Sequence, residues 1–190
     1  MNTDKTMLQD EDEITAFVSL LRDEGIRSYL EIGAKYGGSL ARVAAGVPSL
    51  QRVVAVDLPG GTKVWRHSKV SLEKAIADLN DRGVSASVIW GDSTAPDVIE
   101  KVRALGEFDA ILIDANHTMP YVTKDWDNYS DIGRIIAFHD IAWHREKDWV
   151  GTRIDVPEFW DVVKNLHRHV EFKHCPSGKN NGIGVLWRES

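Results

Sequence analysis

Short runs of β-branched and aliphatic residues alternate along the chain with stretches in which apolar residues recur every three or four positions. The first pattern is typical of buried strands, and the second of helices with one apolar face. The predicted strands are residues 28–32, 52–56, 86–90, 108–114 and 134–138. The predicted helices are residues 11–24, 38–45, 71–81 and 96–105, a helix that begins after Thr118, and residues 156–167. This alternation predicts an α/β fold with a doubly wound, mainly parallel sheet.

The C-terminal part of the chain departs from this alternation. Two strand patterns, residues 170–172 and 182–187, flank a turn that contains proline, glycine and asparagine. Such a spacing predicts an antiparallel hairpin at the end of the sheet. No repeat or linker divides the chain, so residues 11–190 are interpreted as one domain and residues 1–10 as a disordered tail.

Composition and charge exclude several classes of function. The net charge is −6 and the Lys and Arg residues are scattered, so no nucleic-acid-binding surface is expected. No apolar run approaches the roughly 18 residues needed to span a bilayer, and the acidic N-terminus lacks the apolar segment of a signal peptide. The single cysteine, Cys175, permits no internal disulfide. These features predict a cytoplasmic protein without nucleic-acid or membrane partners.

The first predicted strand ends in a turn rich in glycine, Glu31-Ile-Gly-Ala-Lys-Tyr-Gly-Gly38, which precedes an Ala-rich helix. Glycines in this position let a ligand lie against the backbone near the positive end of the helix. A dinucleotide site would require glycine at position 35, where the chain has Lys35. The pattern instead resembles the first motif of class I S-adenosylmethionine-dependent methyltransferases.

Aspartate follows four of the predicted strands, as Asp57, Asp92, Asp114 and Asp140. The carboxyl ends of parallel strands meet at one edge of the sheet, so these carboxylates are expected to converge there. Asp57 can accept hydrogen bonds from both ribose hydroxyls of S-adenosylmethionine, and Asp92 from its adenine amine. Carboxylates also attract its sulfonium. The predicted cofactor-binding residues are Glu31 (through water to the ammonium group), Gly33, Ala34, Lys35, Tyr36, Gly37, Ser39, Asp57, Leu58, Gly91, Asp92, Ser93 and Asp114.

Leu58 and Trp90 are the apolar side chains next to the predicted adenine site, where either can flank the ring. Packing in the core is the alternative for both, and it is the more common role of such side chains.

The most specific pattern lies in residues 109–129 and 136–141. It contains Asp-Ala-Asn-His-Thr at 114–118, Val-x-x-Asp-Trp at 122–126 and Phe-His-Asp at 138–140. This pattern closely resembles methyltransferase family 24, and the resemblance covers roughly residues 26–188. It implies a Rossmann-like class I methyltransferase fold that uses S-adenosylmethionine to methylate a small molecule. Asn116 departs from the family pattern, which usually has a second acidic residue there.

Methyl transfer to a hydroxyl requires that the hydroxyl lose a proton, either to a general base or with the help of a metal ion. The catalytic candidates are Asp114 and His117, with His117 as the base, because imidazole titrates near neutral pH. Helix capping or a buried structural role is the alternative for His117. Related oxygen methyltransferases hold Mg²⁺ or another divalent cation here, which implies Asp114, Asp140 and His139 as ligands. However, His139 and Asp140 face opposite ways unless the backbone has already turned.

The leading hypothesis is therefore an S-adenosylmethionine-dependent methyltransferase that acts on a small molecule, at oxygen, with or without a divalent cation. One alternative is a nicotinamide-dependent oxidoreductase, against which Lys35 argues. Another is a non-catalytic protein that binds the cofactor, which Asn116 keeps open. The resemblance also implies that the protein can form a homo-oligomer, since many relatives self-associate through helices that flank the sheet.

Overall fold

The computed structural model describes residues 10–60, 68–143, 147, 151–173 and 181–188. All but one residue of the predicted tail lies outside these ranges, as do Cys175 and most of the predicted C-terminal turn. Each helix in the described part is too short or too polar to traverse a lipid bilayer. The elements are α1 Glu11–Asp23, β1 Ser28–Ile32, α2 Gly38–Gly46, β2 Arg52–Asp57, α3 Ser68–Asp81, β3 Ser85–Trp90, α4 Pro96–Arg103, β4 Phe108–Ile113, α5 Met119–Tyr129, β5 Gly133–His139, α6 Val156–Val163, β6 Arg168–Phe172 and β7 Ile183–Trp187, with 3₁₀ turns at Ser130–Ile132 and Lys164–Leu166.

The strands form one seven-stranded sheet in the order β3-β2-β1-β4-β5-β7-β6. β1 pairs in parallel with both β2 and β4, and β3 and β5 extend the parallel pairing outwards. β7 pairs antiparallel with both β5 and β6. The predicted mainly parallel sheet with a C-terminal antiparallel hairpin is therefore confirmed. The chain reverses its direction of winding between β1 and β4, and in such sheets ligands bind in the crevice beyond the carboxyl ends at that point.

Apolar side chains cover both faces of the sheet, because alternate residues of a strand point to opposite sides. In β1, Tyr29 faces the core shared with α1, α2 and α3, whereas Leu30 and Ile32 face the core shared with α4, α5 and α6. Trp160 of α6 is fully buried and packs on β7, where a Cβ on Gly184 would lie 2.6 Å from its ring. The two cores hold the carboxyl ends of the central strands in fixed positions.

The predicted and observed boundaries differ mainly at helix ends. α4 ends at Arg103, two residues before the predicted end, because the N–H groups of Leu105 and Gly106 donate to carbonyls only three residues earlier, at 3.0 and 3.1 Å. α6 ends at Val163, and residues 164–166 continue as a 3₁₀ turn. In both cases the last turn tightens, which is common at helix C-termini.

Candidate active site

Gly33 lies where β1, β2 and β4 meet. Its N–H donates to the Val56 carbonyl at 2.9 Å, and the Asp114 N–H donates to the Ile32 carbonyl at 2.8 Å. A Cβ on Gly33 would lie 2.2 Å from the Asp114 carbonyl oxygen, and the backbone there has a left-handed φ of +94°. Only glycine meets both conditions without strain. The predicted turn therefore brings the first strand against the end of β4.

The structure gives a reason for glycine at position 37 that differs from the expected one, which was room for a ligand. It has a φ of +77°, and its missing Cβ would lie 2.7 Å from the Ala75 Cβ of α3. Contact of Gly37 with a ligand stays a prediction, and the missing Cβ points towards a neighbouring helix. Its absence lets α2 pack closely on α3.

Asp57 connects the end of β2 to the glycine turn. Its carboxylate accepts hydrogen bonds from the Lys35 N–H at the tip of that turn and from the Leu58 N–H at 2.6 Å. Burial raises the pKa of Asp57, although both backbone hydrogen bonds oppose the rise. Leu58 is 46% exposed, so the expectation that it packs in the core is wrong. Trp90 does pack partly against the core.

Glu31 and Ser39 lie beneath the turn. Glu31 is almost completely buried, and it accepts hydrogen bonds from the Tyr29 hydroxyl at 2.9 Å and from the Ser39 hydroxyl. Burial raises the pKa of Glu31 to about 8. The carboxylate ties β1 to the first turn of α2, so the expected water-mediated contact of Glu31 with the ammonium group does not fit this arrangement.

The loop after β3 adjoins Asp57, because the Gly91 N–H donates to the Asp57 carbonyl at 2.9 Å. Asp92 is exposed, and one of its oxygens accepts from the N–H and the hydroxyl of Thr94 at 2.8 and 2.9 Å. The Ser93 carbonyl accepts a hydrogen bond from the Tyr129 hydroxyl of α5. Helix α5 therefore holds the loop that is predicted to bind adenine.

Two aspartates and two histidines form a cluster beyond β4 and β5. Asp114 Oδ1 lies 3.3 Å from His117 Nε2 and 3.2 Å from His139 Nδ1. Asp140 Oδ2 lies 3.5 Å from His117 Nδ1, and Asp140 Oδ1 lies 3.3 Å from His139 Nδ1. His117 is the most accessible of the four side chains, and His139 the least. The predicted closeness of Asp114 and Asp140 is thus observed, and both aspartates contact His117 and His139.

The backbone at Asp140 explains how consecutive residues reach the same cluster. Asp140 has a φ of +64°, in the left-handed region. The strand alternation therefore ends at His139, and both side chains contact the cluster. Aspartate tolerates this conformation better than most residues because its short side chain can bond locally.

Charge is balanced within the cluster by the histidines. Burial alone would raise the pKa of Asp114, but the neighbouring His139 and His117 outweigh it and hold that pKa well below its usual range. Burial would lower the pKa of His139, but Asp140 and Asp114 raise it to about 10. The same two carboxylates raise the pKa of His117 above its ordinary value against the effect of burial. The carboxylates and the imidazoles of the cluster therefore stabilise each other's charged forms.

The donor atoms of this cluster suit a divalent cation. One ligand atom each from Asp114, His117 and Asp140 lie within 4.8 Å of one another. Carboxylate oxygen with imidazole nitrogen fits Mn²⁺, Fe²⁺ or Zn²⁺ as well as or better than Mg²⁺. His117 joins the two aspartates in this group, whereas His139, predicted as the third ligand, lies deeper beside them.

Two residues near the cluster carry no signal in the sequence. Asp155 donates its N–H to the His117 carbonyl at 2.7 Å, and its carboxylate accepts from the Met119 N–H at 2.8 Å. It therefore holds the 114–118 loop against the start of α5. Glu13 of α1 is buried and accepts from the Gly182 N–H at 3.0 Å. Both contacts join distant parts of the chain, so no local spacing indicates them.

Three solved structures of similar fold are described as O-methyltransferases. A candidate caffeoyl-CoA O-methyltransferase from Staphylococcus aureus has a TM-score of 0.69 at 15% identity, over 99% of this chain and 88% of that one. TomG of Streptomyces achromogenes, an O-methyltransferase of tomaymycin synthesis solved with SAM, has a TM-score of 0.67 at 16% identity, over 98% and 83%. An O-methyltransferase from Bacillus cereus in complex with SAH has a TM-score of 0.66 at 19% identity, over 98% and 85%.

The strand order, with a glycine turn after β1 and an acidic residue at the end of β2, is that of a class I methyltransferase fold. No protein with a curated description matches the sequence. Residues 30–141 match the family described as a methyltransferase domain, which is methyltransferase family 24, and this match covers more than half of the chain. The chain belongs to that family.

Proposed function

We propose that this protein transfers the methyl group of S-adenosylmethionine to a hydroxyl of a small-molecule acceptor. The observation that carries the proposal is the position of Asp57, which bonds across the glycine turn beside the Asp114 cluster. A donor nucleoside bound at Asp57 would then lie next to groups that can take a proton. The O-methyltransferases of similar fold, two of them solved with SAM or SAH, support the same reaction.

Asp57 is proposed to bind the ribose. Each of its oxygens accepts one backbone N–H, from Lys35 and Leu58, which leaves a further lone pair on each oxygen for a ribose hydroxyl. The adjoining loop, Gly91 to Ser93, is proposed to bind adenine, with the exposed Leu58 packing against the ring. The turn from Gly33 to Tyr36 would line the methionine part of the cofactor.

The acceptor is proposed to bind over Asp114, His117 and Asp140. His117 is the accessible base of this group, and Asp114 and Asp140 orient its ring from both sides. Because these carboxylates raise its pKa, His117 accepts a proton more readily than an ordinary histidine. A divalent cation held by Asp114, Asp140 and a histidine would lower the pKa of the acceptor hydroxyl.

A cofactor-binding protein without turnover is the second candidate, and Asn116 favours it. Asn116 Oδ1 accepts from the N–H and the hydroxyl of Thr118 at 3.1 and 2.9 Å, which commits it to the start of α5. A carboxylate at this position would add charge next to Asp114. The nicotinamide alternative has weaker support, because Lys35 occupies the position of the second glycine of a dinucleotide turn.

Calorimetric titration of the wild-type protein with S-adenosylmethionine, S-adenosylhomocysteine and NADH tests the cofactor. We expect both S-adenosyl compounds to bind and NADH not to bind. Mass spectrometry of hydroxylated metabolites incubated with protein and donor then tests turnover, with and without added divalent cation. Binding of NADH alone would contradict the proposal, and binding of the donor without any methylated product would favour the non-catalytic alternative.

A further inference from the structure

Helix α1 brings a buried carboxylate to the back of the cluster. Glu13 is 1% exposed, although it lies in the first turn of an otherwise exposed acidic segment. Its Oε2 accepts from the Gly182 N–H at 3.0 Å. Its Oε1 makes no hydrogen bond with any part of the chain that the structure describes. A buried carboxylate oxygen without a donor is unfavourable, so this atom requires a partner.

The ring of His139 complements the carboxylate of Glu13, as a hydrogen-bond donor complements an acceptor. Its Nδ1 faces Asp114 Oδ1 and Asp140 Oδ1 at 3.2 and 3.3 Å. Its Nε2 is buried and has no hydrogen-bond partner within the described ranges of the chain. Glu13 bonds to Gly182, which directly precedes Ile183, and Ile183 is the residue of β7 that pairs with His139. Glu13 Oε1 and His139 Nε2 are therefore neighbours. The oxygen needs a hydrogen-bond donor, and the protonated ring nitrogen needs an acceptor.

We propose that Glu13 is a positioning residue that accepts a hydrogen bond from the Nε2–H of His139, directly or through one water molecule. This bond keeps the ring turned so that Nδ1 faces Asp114 and Asp140. The importance of this bond for catalysis depends on the proposed function of the cluster. The existence of the bond does not depend on that function. Outer carboxylates commonly orient histidines at metal and catalytic centres in this way.

The bond to Gly182 makes the proposal specific. Gly182 precedes β7, the strand that pairs with β5, and β5 ends at His139. Glu13 therefore has one oxygen anchored to the sheet, which leaves little freedom for the other. A role limited to capping the Gly182 N–H would require only Oε2 and would leave the ring of His139 unaffected.

The substitution Glu13→Gln separates the two roles. The glutamine carbonyl can still accept the Gly182 N–H, but its NH₂ group would then oppose the Nε2–H of His139. Asp12→Asn is the matched control, because Asp12 is the adjacent exposed carboxylate of α1 and the substitution removes the same charge. His139→Asn identifies the ring signals by their loss.

Nitrogen-15 NMR of histidine-labelled, metal-free protein provides the first measurement. In the wild type and in Asp12→Asn we expect a slowly exchanging Nε2–H signal from His139. In Glu13→Gln we expect that exchange to be at least about tenfold faster, with shifted ring nitrogens. An unchanged His139 signal in Glu13→Gln would overturn the proposal. If Glu13→Gln does not fold, the wild-type spectrum decides, because an Nε2–H that exchanges as fast as that of an exposed histidine also overturns it.

Calorimetric titration with Mn²⁺ provides the second measurement. We expect Glu13→Gln to bind Mn²⁺ about 10- to 100-fold more weakly than the wild type, while Asp12→Asn binds equally well. Equal affinity in Glu13→Gln would contradict the proposed positioning role. A wild type that binds no Mn²⁺ would contradict the metal part of the proposed function, and the NMR result would still test the bond to His139.

Discussion

Asp125 of α5 is a fully buried carboxylate, and it leads to our most quantitative prediction. It is 0% exposed, and neither oxygen makes a hydrogen bond of normal geometry with the described residues. Burial raises its pKa to about 7, an effect that the Ser93 side chain opposes and the charge of Asp92 adds to. The substitution Asp125→Asn keeps the shape of the side chain and removes the charge that burial opposes.

The expected magnitude follows from the pKa. Each tenfold change in proton affinity corresponds to about 1.4 kcal/mol, so a pKa of about 7 in place of the ordinary 3.8 costs the folded state about 4 kcal/mol once the carboxyl ionises. The folded pKa lies above the unfolded one, so the protonated form stabilises the fold. That contribution is complete below pH 4 and is lost as the pH rises through 7. Asparagine has no such loss.

Urea unfolding at a series of pH values, followed by circular dichroism, measures the effect. We expect the free energy of unfolding of Asp125→Asn, minus that of the wild type, to increase by about 2–3 kcal/mol between pH 5 and pH 8. Comparing the two proteins at each pH cancels the contributions of other groups. Asp127→Asn is the control, because Asp127 is exposed on the same helix, and its difference should stay constant. A constant difference for Asp125→Asn, or a variant less stable than the wild type at pH 8, would refute the reasoning.

Three further substitutions test the site. Asp57→Asn should weaken S-adenosylmethionine binding about 10- to 100-fold in calorimetric titration, because hydrogen bonds to a charged group are worth about 1.5–3 kcal/mol. The control Asp78→Asn, at an exposed position, should leave this affinity unchanged. Gly33→Ala should lower the free energy of unfolding by about 2–4 kcal/mol, since its Cβ would lie 2.2 Å from a backbone oxygen; a loss below 1 kcal/mol in urea unfolding would contradict this. His117→Asn should lower turnover about 10²- to 10⁴-fold and leave the affinity for the donor unchanged. The control His169→Asn, at an exposed position, should change neither quantity. Normal turnover in His117→Asn would exclude His117 as the base.

The order of the elements could be predicted because the sheet is buried on both faces. Strands such as Phe108–Ile113 are nearly all apolar, so they contrast sharply with the amphipathic helices between them. The position of the site followed from the same topology, since parallel strands end at one edge. The sequence alone therefore assigns Asp57, Asp114 and Asp140 to a common edge.

What each carboxylate bonds to could not be predicted, because it depends on donors that the fold brings from elsewhere. Glu31 and Asp57 are both carboxylates of adjacent strands, yet Glu31 is used by Tyr29 and Ser39 inside the fold, whereas Asp57 lies at the rim. The difference arises from the strand itself: Glu31 is followed by one more strand residue and points into the core, while Asp57 is the last residue of β2.

His139 and Asp140 show where the strand rule itself stops applying. Alternation predicts opposite directions for neighbouring side chains, and it holds only while the backbone stays extended. The left-handed φ of Asp140 ends the strand at His139, which turns a pair on opposite faces into a pair around Asp114. The third group at this position, Glu13, arrives through the packing of α1 on the sheet from 126 positions before His139 in the printed numbering. Local patterns thus identify which residues reach the edge of the sheet, and the contacts between distant elements decide how those residues are paired.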